Sequence, residues 1–149
     1  MSRTIMTGFD PARFVAARED KGWDVLELSI QTGVGTSTIY HWERGSRRPQ
    51  LPILRKVASK LGVRLDELIV VPENERTISY YRNIAGLTQV ECATRAGMPS
   101  STLAAIEGGR VTRLTEDAAP KLAAALGIPE ELVVAAFARV RRPGGNRPT

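Results

Sequence analysis

Residues 22–45, GWDVLELSIQTGVGTSTIYHWERG, and residues 86–109, GLTQVECATRAGMPSSTLAAIEGG, align without a gap at an offset of 64. Seven of the 24 positions are identical: Gly22/Gly86, Glu27/Glu91, Gly33/Gly97, Ser37/Ser101, Thr38/Thr102, Glu43/Glu107 and Gly45/Gly109. A period near 64 is too long for one turn of a solenoid and suits a small domain present twice. The 149 residues therefore have to build two modest cores, for which a hydrophobic content of 42% suffices.

Helix starts are marked in both copies. Asp10-Pro11 supplies an N-cap and a first-turn proline, with Phe14, Val15 and Arg18 at helical spacing up to Gly22. Asp24 with Glu27, and Thr88 with Glu91, fit the reciprocal cap in which two side chains satisfy two unpaired amides. Gly33 and Gly97 stand where such a helix must turn sharply, which glycine does without steric cost. Third helices are expected at 36–44 and about 100–108. The fourth is expected at 52–61, with Leu54, Val57, Ala58 and Leu61 inward, and its counterpart at about 116–126 after a one-residue insertion. Pro120 falls inside that counterpart, so the helix starts late or bends.

Fifth helices are expected at 65–70 and 129–141, the latter carrying an apolar stripe of Leu132, Val133, Ala136, Phe137 and Val140. Alternating β-branched runs are few, so the fold is read as all-α, two tandem five-helix domains. The first spans 1–71, with helices at 11–21, 25–32, 36–44, 52–61 and 65–70. The second spans 72–141 and is followed by a disordered basic tail, 142–149.

No run approaches the roughly 20 apolar residues that span a bilayer, and MSRTIMTGF lacks the apolar stretch of a signal peptide. A cytoplasmic protein, with no membrane partner, is expected. Cys92, the single cysteine, replaces Leu28 on an apolar face and reads as a small core side chain. His41 is the single histidine, so no metal, cofactor or catalytic triad is expected. Charge is unevenly spread: residues 1–71 carry 11 Lys/Arg against 8 Asp/Glu, residues 72–138 carry 6 against 8, and residues 139–149 carry four arginines and no acid. A basic first half is the electrostatic footprint of a polyphosphate partner.

The first copy resembles the DNA-binding domain of the lambda repressor and Cro superfamily of helix-turn-helix proteins. The likeness covers about residues 10–70 and rests on helix two, the turn at Gly33, Ile39 as inward anchor, and Trp42-Glu43-Arg44-Gly45 followed by Pro49. Residues 75–138 are similar through Leu87-Thr88-Gln89-Val90-Glu91 and Ile106-Glu107-Gly108-Gly109. Two short helices around a glycine turn let the first cross the phosphates while the second projects into the major groove. With Ile39 and Trp42 inward, Thr36, Ser37, Tyr40, His41 and Arg44 face outward, and Thr38 joins them as a candidate contact. His41 reads equally as a groove contact or a solvated side chain. Arg47 and Arg48 lie in the loop that touches the backbone in family members.

The resemblance also places ion pairs between helices one and three, Arg18 with Glu43 and Arg82 with Glu107, as scaffold. Val25 stands where the family often has a glutamine that clamps a phosphate and braces helix three; the second copy retains it as Gln89. The second copy's candidate contacts are Gln89, Ser100, Ser101, Thr102, Ala105, Arg110 and Arg113. Its helix three has a smoother face, open to two readings, close approach to thymine methyls or a protein contact. Phe137 and Val140 are candidates for a dimer contact. The resemblance implies a sequence-specific regulator of transcription acting on double-stranded DNA in the nucleoid. It implies a repressor, for instance a phage or mobile-element immunity repressor, and no enzyme. The alternative is an antitoxin-type protein whose first domain autoregulates and whose second binds a protein partner.

Overall fold

The computed structural model describes residues 6–140, and the packing of the chain separates into two units, divided between Val71 and Pro72. Among the described residues there are nine α-helices and, apart from one isolated bridge, no β-structure.

The first unit holds α1 (Pro11–Asp20), α2 (Val25–Thr32), α3 (Thr36–Glu43) and α4 (Leu51–Leu61). α1 begins where the Asp10 carboxylate accepts from the Arg13 amide at 3.1 Å, with Pro11 in the first turn. At the start of α2, Asp24 accepts from the Glu27 amide at 2.8 Å, but the reciprocal bond expected of a capping box is not made. Glu27 instead accepts from Gln31 Nε2 at 3.2 Å, one turn further along. Gly33, at φ +76°, ends the helix in the left-handed conformation. Phe14, Leu28, Ile39, Trp42, Leu54 and Val57 form the core, with the Phe14 ring set edge-on against Trp42 at 5.7 Å. Burying each such side chain contributes roughly 1.5–3 kcal/mol.

The helix expected at 65–70 is absent. A 3₁₀ turn, Leu65–Glu67, is followed by extended chain, in which Ile69 bridges to Phe9. Two backbone hydrogen bonds fix this pairing, Asp10 N to Leu68 O at 2.9 Å and Val70 N to Gly8 O at 2.8 Å. Tertiary pairing with the segment before α1 thus displaces the local helical preference. Gly8 has φ +95°, and a Cβ there would lie 2.6 Å from Val71 Cγ2 and 2.9 Å from Val70 O.

The second unit holds α5 (Ile78–Ile84), α6 (Gln89–Ala96), α7 (Ser100–Glu107), α8 (Ala118–Leu126) and α9 (Glu130–Ala138). Here the capping box is complete. Thr88 Oγ1 accepts from the Glu91 amide at 3.2 Å and Glu91 Oε1 accepts from the Thr88 amide at 2.9 Å. α8 starts late, at Ala118 and not at 116, which puts Pro120 in the first turn, where no amide is needed. Leu103, Leu122 and Val133 are fully buried at the centre, and so is Cys92, whose thiol desolvation pushes up to about 11. α9 ends at Ala138, short of the expected 141. Phe137 and Val140, the candidates for a dimer contact, are buried within the chain, at 8% and 6% exposure, and so present little surface to a second copy. The basic tail expected at 142–149 lies outside the described residues.

Candidate nucleic-acid interface

α3 packs through Ile39 and Trp42, at 0% and 2% exposure, and this single inward line decides what faces out. Thr36, Ser37, Tyr40 and Arg44 are exposed and share a face, His41 is half-buried beside them, and Thr38 is half-buried on the flank. Arg18 holds the far end of the helix. Its Nε donates to Glu43 Oε2 at 2.7 Å and its Nη2 to Oε1 at 3.3 Å, while Nη1 donates to Trp23 O at 2.9 Å. The bond to Glu43 raises the guanidinium further above its usual range, against partial burial. One side chain thereby ties α1, the loop before α2 and the end of α3 together.

Beyond α3 the chain turns back on His41. Ser46 N and Arg47 N donate to His41 O at 3.0 and 3.3 Å, and His41 Nδ1 lies 2.8 Å from Ser46 Oγ. Partial burial, then Arg47 and Arg44, lower the imidazole below its usual range, so it is neutral at pH 7. Arg44 Nη2 lies 3.4 Å from the same Nδ1. Arg44 and Arg47 are exposed, so a cationic pair flanks the polar face of α3. Arg48 is used differently: its Nη1 donates to Met6 O at 3.2 Å, anchoring the segment ahead of α1.

In the second unit the corresponding ion pair is drier and better connected. Arg82 Nε donates to Glu107 Oε2 at 2.7 Å, Nη2 to Oε1 at 3.0 Å and Nη1 to Leu87 O at 2.9 Å. Ser79 Oγ and Gln89 Nε2 also donate to Glu107 Oε1, at 3.0 and 2.9 Å. The side chains of the pair are 4% and 3% exposed, against 12% and 14% for Arg18 and Glu43. The Gln89 amide thus braces α7, whereas the first unit has buried Val25 at that place.

Ser100, Ser101 and Thr102 are exposed on α7, and Ala105 is half-buried. Gly108 occupies the place of Arg44, but the place is not empty. A Cβ on Gly108 would lie 2.8 Å from Arg110 Nη1 and 3.5 Å from its Cζ, so the Arg110 guanidinium folds back over the end of α7. The second unit supplies a cation to the end of its third helix from two residues further along the chain. Arg113 is exposed in the longer loop 108–117.

One exposed feature does not emerge from the motif. Leu26 and Ile30, one turn apart on α2, are 61% and 66% exposed, and Val90 at the place of Leu26 is 63% exposed. The signal lies in the period: once Val25, Leu28 and Thr32 are inward, positions 26 and 30 point out.

Two short helices around a glycine turn, the second with a polar outward face, occur in each unit, and comparison with known families agrees. A family model described as "Helix-turn-helix" matches residues 15–68, and a second, "Helix-turn-helix domain", matches residues 76–136. Both halves of the chain are helix-turn-helix domains. Curated relatives of this helix-turn-helix protein include uncharacterized HTH-type transcriptional regulators from Mycobacterium tuberculosis, strains H37Rv and CDC 1551 / Oshkosh, and from Mycobacterium bovis, strain AF2122/97. Each is 38% identical over 48 residues, which is 32% of this chain and 19% of the relative. The match thus spans about a fifth of the length of those relatives. Among the described residues no three His, Cys, Asp or Glu side chains gather as a metal site, and no helix is long and apolar enough to cross a membrane.

Proposed function

We propose that this protein is a sequence-specific, double-stranded DNA-binding regulator of transcription, acting as a repressor in the nucleoid by occupying an operator without a chemical step. The observation that carries this reading is the exposed face of α3. Thr36, Ser37, Tyr40 and Arg44 project together from a helix whose far end the Arg18–Glu43 pair holds. Such a face offers hydroxyl groups and a guanidinium to base edges, with Arg47 at the adjacent phosphates.

The second domain is assigned a weaker DNA contact through Ser100, Ser101 and Arg110. Its smoother face and its 6 Lys/Arg against 8 Asp/Glu over residues 72–138 make it the secondary reader. The rival role for this domain is capture of a protein partner, as in an antitoxin, and the same two features favour it.

Selection of bound duplexes by the full-length protein at stated salt, followed by footprinting, tests the proposal. A defined operator is expected, and Arg44→Ala with His41→Ala weakens it by about 1–3 kcal/mol per lost base contact. Unchanged specific affinity in that double variant would sink the assignment of α3. An asymmetric footprint with one protein per site supports reading by both domains; inverted half-sites with two proteins assign the second domain to assembly.

A further inference from the structure

The second unit contains a half-open cleft of about 250 Å³ beneath the loop that follows α7. Its apolar lining comes from Met98, Pro99, Ile106, Val111, Leu114 and Ala118. Protein interiors are ordinarily close-packed, so the space needs a cause. The repeat supplies one. The position of Ile106 is filled in the first unit by Trp42, at 2% exposure. The second unit therefore carries a smaller side chain in the cleft wall where the first has an indole. Loop 108–117 is longer than its counterpart 44–50 and arches over the gap without filling it.

The polar side chains that line it, Thr102, Arg113, Thr115, Asp117 and Lys121, are all exposed and so form its rim. Asp117 is engaged twice, accepting from Thr115 Oγ1 at 2.9 Å and pairing with Lys121 Nζ at 2.9 Å, so the charge of Lys121 is already matched. These bonds, Lys121 first, hold the Asp117 carboxyl below its usual range and keep it ionised. Arg113 lines the same rim, is exposed, and forms no ion pair with a described residue. The rim therefore carries one surplus positive charge.

We infer that this cleft is a binding site for a small amphipathic carboxylate, with an apolar ring or branched body on Ile106, Leu114 and Ala118 and its carboxylate on Arg113. Cavity size sets the class. A dry cavity of about 150 Å³ takes up benzene, so about 250 Å³ accommodates a ring with a short acidic tail. An occupant would touch Thr102 and Ile106 and so rest against one side of α7. Occupancy itself does not depend on whether α7 enters a DNA groove.

The test uses the full-length ¹⁵N-labelled protein, without DNA, titrated with 4-phenylbutyrate and separately with uncharged 4-phenylbutanol. Saturable amide shifts confined to residues around Met98, Val111, Leu114 and Lys121 are expected, with a Kd for the carboxylate on the order of 1 mM or tighter. Arg113→Gln should weaken 4-phenylbutyrate about tenfold, the scale of one charge-assisted contact, and leave 4-phenylbutanol within about twofold. Lys121→Gln should have the smaller effect on the carboxylate, because Asp117 already opposes that charge. Shifts that do not saturate by about 20 mM, roughly twentyfold above that ceiling, overturn the site. Shifts spread equally over the first unit, or equal weakening of both probes by Arg113→Gln, overturn it as well.

Discussion

Glu107 and Glu43 are the same residue in the two copies, yet their surroundings give them different weight. Glu107 accepts from Arg82, Ser79 and Gln89 in a nearly dry setting; among the described residues Glu43 accepts from Arg18 alone, in a partly wet one. Removing one member of a buried pair leaves its partner charged and unmatched, which costs about 3–5 kcal/mol. Glu107→Ala should therefore lower the stability of its unit by that amount, and Glu43→Ala its own by about 1–3 kcal/mol, as read by urea denaturation of the full chain. The reverse order would show that the additional donors contribute nothing. His41 makes the second prediction at this scale. Its folded-state pKa lies below the ordinary 6.5, so the unfolded chain binds more protons between those two values, and stability falls as pH drops through that window. Specific DNA affinity should move the other way, rising as pH falls from about 7.5 toward 5.5, because phosphates favour the imidazolium. His41→Gln should flatten the pH dependence of DNA binding, and an unaltered profile would remove His41 from the interface.

At the level of elements, helix starts were legible because a cap is local. Asp10, Asp24 and Thr88 each accept an amide three residues on, information contained in four consecutive positions. What lay beyond reach was anything decided by a distant partner. Residues 65–70 carry helical spacing, but the chain there pairs with residues 8–10, a relation across the whole domain. The apolar stripe of α9 was legible as a stripe, whereas its burial was not: nothing in its own residues says that Phe137 and Val140 are covered within the chain. The outward face of α3 was readable because Ile39 and Trp42 fix the phase of the helix, while the Arg110 guanidinium over Gly108 belongs to a loop and follows no period. The N-terminal pairing can be tested at Gly8. An alanine there meets Val71 Cγ2 and Val70 O in a backbone region that L-residues avoid, and Gly8→Ala should cost about 1–3 kcal/mol. Thermal unfolding unchanged within half a degree would mean that this pairing is dispensable.

For the molecule as a whole, charge divides the labour. Residues 1–71 are net +3 and residues 72–138 net −2, with four further arginines over 139–149, and on the proposed reading phosphate attraction between the folded units falls mainly on the first. The slope of log affinity against log salt should drop by about 1 for Arg47→Ala, uniformly across sequences, and by less for Arg110→Ala or Arg113→Ala. Equal slopes for all three would place both domains on the phosphates alike. Each domain is also closed at its own waist. Val70 N donates to Gly8 O in the first, and Arg139 Nη1 donates to Arg76 O at 2.9 Å in the second, so entry and exit lie side by side in both. A unit whose ends already touch can be copied, excised or spliced into another chain without stretching either neighbour. Gene duplication then needs no new joint, and each copy is free to change its outward face while its frame stays shut.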